Sequence, residues 1–152
     1  MIVDTHQHLW LIDESDLWWL TDEARAAGGP HLKDFGPEEM RKTFATVGTQ
    51  LSVLVEAWSA EADQHYWLEV AEDDETIGGV IASGDFFSPG VGALTDRLQA
   101  HSKFRGLRLA TEVIVDTDIL TWDDIRGGVR ELAARDNVSL DLLVTIDHLK
   151  DV

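Results

Sequence analysis

The sequence predicts an α/β fold in which five strands alternate with helices along one domain. Short segments rich in apolar and β-branched residues recur along the chain, and stretches with a helical spacing of apolar residues separate them. The length of 152 residues holds about five βα units at roughly 30 residues each. Strands that are separated by helices imply parallel βαβ units.

The five predicted strands differ in how strongly the sequence marks them. The second is rich in β-branched residues, whereas the third contains a pair of glycines that weakens it. The first leads directly into polar residues. The predicted strands are residues 1–6, 51–57, 77–82, 104–109 and 138–144.

Helical patterns fill the gaps between the strands. Pro37 suits a first helical position and Ser59 suits an N-cap, while Thr121 followed by Asp124 resembles a capping box. A glycine pair weakens the middle of the last helix. The predicted helices are 37–44, 59–72, 92–100 and 121–135. Residues 9–36 are predicted to form a long irregular stretch, which is often functional.

The composition excludes several classes of function. With 12 basic and 29 acidic residues, the formal net charge is −17. This charge argues against a nucleic acid partner and against an anionic membrane surface, because both need a Lys/Arg surface. The chain has no cysteine, so disulfides, thiolate metal sites and Cys nucleophiles are excluded. Without a signal peptide or a long apolar run, the sequence predicts a cytoplasmic location.

The strongest chemical signal is residues 3–8, Val-Asp-Thr-His-Gln-His. Alternation along a strand places Asp4, His6 and His8 on one side. The two imidazoles can converge on one cation if the strand end curls, and imidazole nitrogens suit Zn, Mn, Fe or Ni. Their place at the end of a strand adds weight, because α/β folds build their sites there. The ordinary alternative is two histidines bonded to backbone or water.

Residues 2–10 closely resemble the opening of the amidohydrolase superfamily, and most of all its branch of sugar-lactone lactonases and 2-pyrone-4,6-dicarboxylate lactonase. The resemblance continues in order along essentially the whole chain. Glu56 stands where the family usually carries Gln, and residues 105–108 follow the family's Arg-Gly-hydrophobic-Arg pattern. The other segments that resemble this branch are 18–20, 33–40, 53–57, 79–85 and 140–142.

The resemblance implies a TIM-type (β/α)8 barrel, of which this chain holds about the first five βα units. It also implies a hydrolase in which water attacks the carbonyl of a lactone or related cyclic ester. In metal-dependent members, His6 and His8 would be the first two ligands of a divalent metal such as Zn or Mn. In metal-independent members, the same histidines would be hydrogen-bonding catalytic groups and no cofactor would be needed.

Arginine and tryptophan side chains are candidates for binding the substrate. Arg108 shares strand parity with Gly106, so it can point into the barrel and bind a carboxylate or a carbonyl oxygen. The alternative is an arginine paired with an interior acid. Trp18 and Trp19 are candidate walls of the substrate pocket, or else ordinary packing under the long irregular stretch.

Acidic residues are candidate partners of the histidines. Glu56 could accept the hydrogen bond that orients an imidazole, and Asp4 is similar, since it could form a hydrogen bond across the barrel floor. The alternative for Glu56 is a solvated acid at the end of a strand, and Asp141 is predicted to be an interior polar residue. The remaining histidines have no ligand-like spacing and are predicted to lie on the surface: His31, His65, His101 and His148.

The length departs from that of the family. An eight-stranded barrel needs roughly 200 residues or more, and the family's later His and Asp have no counterpart in the 152 residues. We therefore expect a truncated lactonase-like hydrolase that acts on a small-molecule carbonyl compound. The alternatives are a half-barrel completed by another chain or a second copy, and a non-catalytic module that binds a small molecule.

Overall fold

The computed structural model describes residues 1–17, 19–58 and 60–149. The strands are β1 (Val3–Gln7), β2 (Leu51–Val55), β3 (Ile77–Ser83), β4 (Phe104–Ala110) and β5 (Ser139–Leu143). The helices are α1 (Asp22–Ala27), α2 (Pro37–Val47), α3 (Glu61–Asp73), α4 (Val91–Leu98) and α5 (Asp123–Ala133). Within these ranges, no helix has the length and apolar character needed to cross a membrane.

The strands are hydrogen-bonded in the order in which they occur along the chain, β1-β2-β3-β4-β5. β1 pairs in parallel with β2, and β4 pairs in parallel with β5. The predicted succession of parallel βα units is therefore confirmed. The residues form two compact units, Met1–Val80 and Ile81–Val152, and β3 contributes residues to both.

In the first unit, α2 shows how the sequence sets a helix and its buried face. It begins at Pro37, where the missing N–H costs no intrahelical bond. It ends before Gly48, whose φ of 77° is left-handed. Met40 and Phe44 lie one turn apart and are its buried residues. The core of this unit also contains Leu54, Trp58, Trp67, Leu68 and Ala71.

In the second unit, α5 runs unbroken through its glycine pair. A Cβ on Gly128 would lie 2.9 Å from Cδ1 of the fully buried Phe86. The glycine therefore lets the helix approach this ring closely, and that packing compensates for the low helix propensity of glycine. The core of this unit also contains Leu98, Leu107, Leu109, Ile119 and Ile125.

The capping box predicted for α5 is wrong. Thr121 ends a short 3-10 segment, Ile119–Thr121, and its hydroxyl donates to the carbonyl of Asp118 at 2.7 Å. Because that hydroxyl already has a backbone partner, α5 begins after Trp122 with no side-chain cap. The cap predicted for α3, Ser59, lies outside the described residues.

The stretch predicted to be irregular contains one short helix, α1. Its N-cap is Thr21, whose hydroxyl accepts a hydrogen bond from the N–H of Ala24 at 3.2 Å. Asp22 and Glu23 occupy its first turn, where acids favour a helix. The helix buries none of its residues, so it has no apolar periodicity by which it could have been predicted.

β4 and β5 approach each other closely at Gly106. This glycine is the register partner of Ser139, and a Cβ at Gly106 would overlap the Ser139 carbonyl oxygen. The Ser139 hydroxyl donates to the carbonyl of Arg105 at 3.0 Å, which holds the two strands together at the same point. A side chain of any size at Gly106 therefore forces the strands apart.

We expect Gly106→Ala to lower the free energy of unfolding by about 2–3 kcal/mol, because the added methyl group meets a backbone oxygen that cannot move without β5. Urea unfolding followed by circular dichroism measures the loss. The matched control is Gly127→Ala on α5, where no described atom beyond its chain neighbours and its own helix backbone lies within 4 Å of the new Cβ. This variant should gain about 0.5–1 kcal/mol from helix propensity. Equal effects of the two substitutions would contradict the close approach.

Candidate functional site

His6 and His8 converge at the carboxyl end of β1. The register between β1 and β2 shifts between Asp4 and Gln7, so the backbone is irregular where His6 lies. Such an irregularity re-aims side chains. In a regular strand, side chains two residues apart stand parallel and do not meet. Here the strand ends at Gln7, and the Nε2 atoms of His6 and His8 are only 3.0 Å apart.

The ring of His8 is fixed by the backbone of the neighbouring strand. Its Nδ1 lies 2.9 Å from the carbonyl oxygen of Val55, the last residue of β2. A carbonyl oxygen only accepts, so Nδ1 carries the proton of the neutral ring and Nε2 keeps its lone pair. His6 Nε2 is then the donor in the bond between the two rings. Nε2 of His8 is therefore an acceptor, or a ligand for a cation.

The histidine pair fits part of a metal site. Zn–N bonds are about 2.1 Å long, and two nitrogens 3.0 Å apart can both reach one ion at that distance. Metal-bound histidines usually donate their other ring N–H to a carbonyl or a carboxylate, as His8 does here. Across residues 1–17, 19–58 and 60–149, no group of three His, Cys, Asp or Glu side chains could hold a metal. The described residues thus bring together two candidate ligands, His6 and His8.

The two candidate acidic partners occupy different positions. Asp4 accepts a hydrogen bond from the backbone N–H of His6 at 3.1 Å, so it orients the main chain at His6. Glu56 follows β2 directly and is only 5% exposed. The interpretation of Glu56 as a solvated strand-end acid is therefore wrong. An orienting role for either acid toward an imidazole stays a prediction.

Tryptophan side chains bind the backbone of the segments that follow β1 and β2. Trp19 donates its indole N–H to the carbonyl of Ala57 at 3.1 Å, and its ring meets Trp10 edge to face at 5.3 Å. Trp58 donates to the carbonyl of Leu9 at 2.7 Å and is fully buried. The role of Trp58 is not predictable from the sequence, because its partner is 49 residues away. Trp18, the other predicted pocket residue, lies outside the described residues.

Arg108 lies in the second unit and is paired with Asp141. The two residues are register partners on β4 and β5, and Nε and Nη2 of Arg108 lie 2.9 and 2.8 Å from Oδ2 of Asp141. Arg108 is 4% exposed. The alternative of an arginine paired with an interior acid is therefore present in the structure, and a substrate role for Arg108 stays a prediction.

His148 was predicted to lie on the surface, and this prediction is wrong. The ring is 3% exposed. Its Nδ1 accepts from the N–H of Thr145 at 3.2 Å, and its Nε2 lies 3.0 Å from the carbonyl of Ile114. The ring thereby joins the segment after β4 to the segment after β5. Sequence spacing gave no indication of it, because a single histidine shows no periodicity.

No family model matches the chain. An L-fucono-1,5-lactonase of Burkholderia ambifaria is 29% identical over 147 residues, which cover 97% of this chain and 49% of that protein. An L-fucono-1,5-lactonase of Burkholderia multivorans is 28% identical, over 99% of this chain and 49% of that protein. The resemblance to the amidohydrolase-related lactonase branch is confirmed. This chain spans about half the length of the relatives it matches.

Solved structures show the same fold. A crystal structure of an amidohydrolase from Burkholderia multivorans with bound Zn has a TM-score of 0.76 at 24% identity, over 95% of this chain and 49% of that chain. A probable 2-pyrone-4,6-dicarboxylic acid hydrolase from Acinetobacter baumannii, with citric acid bound, has a TM-score of 0.65 at 16% identity, over 93% of this chain and 48% of that chain. The five strands therefore have the fold of part of a (β/α)8 barrel.

We expect Asp141→Asn to lower the free energy of unfolding by about 2 kcal/mol, because the buried guanidinium of Arg108 would then face a neutral amide. Urea unfolding at neutral pH measures this loss. An unchanged stability would show that Arg108 does not depend on Asp141 and would favour a role in substrate binding.

The matched control for this substitution is Asp96→Asn. Asp96 also receives two bonds from one guanidinium, that of Arg135, but its side chain is 60% exposed. The hydrogen bonds from Arg135 lower the pKa of Asp96. The contribution of ionised Asp96 to the free energy of unfolding is therefore present above the ordinary carboxyl pKa. It is lost as the pH falls through the lowered pKa of Asp96. At neutral pH, we expect a smaller loss of stability than for Asp141→Asn, because water screens the exposed pair.

Proposed function

We propose that the protein is a lactone hydrolase of the amidohydrolase type, and that His6 and His8 form the carbonyl-activating part of its site. The observation that carries the proposal is the convergence of the two Nε2 atoms at 3.0 Å, with the ring of His8 fixed by Val55. The similarity to L-fucono-1,5-lactonases over nearly the whole chain supports it. L-Fucono-1,5-lactone is accordingly the first substrate to test.

The same two rings suit a mechanism with or without a metal. A divalent ion such as Zn or Mn, when bound, would polarise the lactone carbonyl and activate water. The Nε2 lone pair of His8 is already directed toward the point where His6 converges with it. Without a metal, the Nε2 proton of His6 is the group that can donate to the carbonyl oxygen as negative charge develops on it.

We propose for the other site residues the roles that the sequence predicts. We propose that Trp19 forms part of the wall that the lactone ring contacts. The same role stays a prediction of the sequence for Trp18, which lies outside the described residues. Arg108 would bind a carboxylate or the carbonyl oxygen of the substrate, in addition to Asp141. The substrate is a small carbonyl compound, and the cytoplasmic location stays a prediction of the sequence.

A second candidate is a module that binds a small molecule without turning it over. The observation that favours it is that the described residues bring together two ligating histidines and no third. In such a module, another chain or a second copy would have to supply any further catalytic groups. Both candidates require His8, but only the hydrolase requires turnover.

Calorimetric titration of the chain with Zn²⁺ tests the central pair. We expect weak one-to-one binding, because two protein ligands are one fewer than a catalytic zinc site normally has. His8→Gln should abolish it, since the amide lacks an imidazole lone pair. The control is His65→Gln, which removes a histidine in a surface pair with Glu61 on α3. Tight binding that survives His8→Gln would place the metal elsewhere.

The release of acid from L-fucono-1,5-lactone, measured above the spontaneous rate, distinguishes the two candidates. For the hydrolase, we expect turnover that falls by about 100-fold or more in His8→Gln, the range typical of a lost acid–base group. Lactone binding that depends on His8, without turnover, would favour the binding module. Turnover equal in the wild type and in His8→Gln would contradict the proposed site.

A further inference from the structure

The segments that follow β1 and β2 exchange two hydrogen bonds in opposite directions. From the first segment, His8 donates Nδ1–H to the carbonyl of Val55 at 2.9 Å. From the second, Trp58 donates its indole N–H to the carbonyl of Leu9 at 2.7 Å. His8 and Leu9 are adjacent in the chain, and Trp58 lies three residues after Val55. Each segment therefore fixes the backbone of the other.

The bond from Trp58 lies in a dry and tightly packed environment. Trp58 is fully buried, and Leu9 is 1% exposed. The ring of Trp58 stacks on that of Trp67 at a centroid distance of 5.8 Å and an interplanar angle of 13°. A carbonyl that loses its donor in such a place must shift toward another donor, because leaving it unsatisfied is costly.

We propose that Trp58 is a positioning residue that holds His8 in its Nδ1–H tautomer, with Nε2 unprotonated and directed toward His6. The proposal rests on the proposed function only in that His8 is a site residue. When the indole N–H is removed, the Leu9 carbonyl, which belongs to the peptide group between Leu9 and Trp10, moves to find another partner. His8 moves with Leu9, because the two residues are adjacent in the chain. The distance from Nδ1 to the Val55 carbonyl then increases.

The consequence for His8 is a change of tautomer. An imidazole that is released from an accepting carbonyl can carry its proton on either nitrogen. A His8 ring with the proton on Nε2 neither accepts from His6 nor ligates a metal through that atom. The indole of Trp58 thus acts on the site through the backbone without touching the reacting atoms.

The stacked neighbour of Trp58 provides a matched control. Trp67 is 1% exposed and belongs to the same aromatic stack. Its indole nitrogen has no hydrogen-bond partner within the described part of the chain. Trp67→Phe therefore removes a buried indole of the same size without breaking a hydrogen bond. Trp58→Phe removes the same atoms together with the bond to Leu9.

The experiment compares the wild type, Trp58→Phe and Trp67→Phe, each as the full chain labelled with ¹⁵N. Two-bond ¹H–¹⁵N spectra at about pH 8, where histidine is neutral, report which ring nitrogen of His8 carries the proton. We expect mainly the Nδ1–H form in the wild type and in Trp67→Phe, and a substantial Nε2–H fraction in Trp58→Phe. In parallel, the Zn²⁺ affinity should fall by about tenfold in Trp58→Phe alone.

An unchanged His8 tautomer in Trp58→Phe would overturn the proposal, as would an equal change in both variants, which would indicate a packing effect. If Trp58→Phe does not fold, the wild type in urea below its unfolding transition gives the second measurement. The Nε2–H fraction of His8 should then rise together with deuterium exchange of the Trp58 indole hydrogen, and independent changes would overturn the proposal. The tautomer readout needs neither a metal nor turnover, so a wild type that hydrolyses no lactone would count against the proposed function alone.

Discussion

Parallel pairing of consecutive strands is the constraint on which both units of this protein depend. Parallel strands place their carboxyl ends at the same edge, so residues that are 33 to 47 positions apart in sequence become neighbours. In the first unit, this pairing brings the segment after β1 against the end of β2, where His8 meets the Val55 carbonyl. In the second unit, it places Arg108 directly opposite Asp141. Strand pairing therefore determines which partners the candidate site residues have.

The two units stabilise their strand ends by different means. The first uses neutral donors, the rings of His8, Trp19 and Trp58, which bind backbone carbonyls. The second uses an ion pair around a guanidinium that is 4% exposed. Neutral donors avoid the desolvation cost of a buried charge, whereas the ion pair needs both of its charges to offset that cost. Removing one partner is therefore expected to affect stability more in the second unit.

The sequence was sufficient to predict the elements but not the contacts between distant residues. Strands and long helices were predictable because buried faces impose a period on the apolar residues, and only their ends differ by a few positions. The helix α1 buries none of its residues, so its apolar residues show no helical period. The histidine pair could be predicted from spacing, and the interior position of Arg108 from strand parity. The burial of His148 and the bond from Trp58 to Leu9 depend on residues 34 and 49 positions away, which no local pattern encodes.

The two histidines of the site are not equivalent, and the difference follows from their partners. His8 has its proton fixed on Nδ1 by a carbonyl that cannot donate. His6 carries the proton between the two Nε2 atoms, and it is exposed while His8 is half-buried. A cation that takes both Nε2 lone pairs requires the His6 proton to move from Nε2 to Nδ1, a change of tautomer that leaves the ring neutral. A carbonyl substrate would instead accept a hydrogen bond from the Nε2–H of His6. The same ring pair can therefore act as a ligand pair or as a hydrogen-bond donor, and the position of the His6 proton decides between the two.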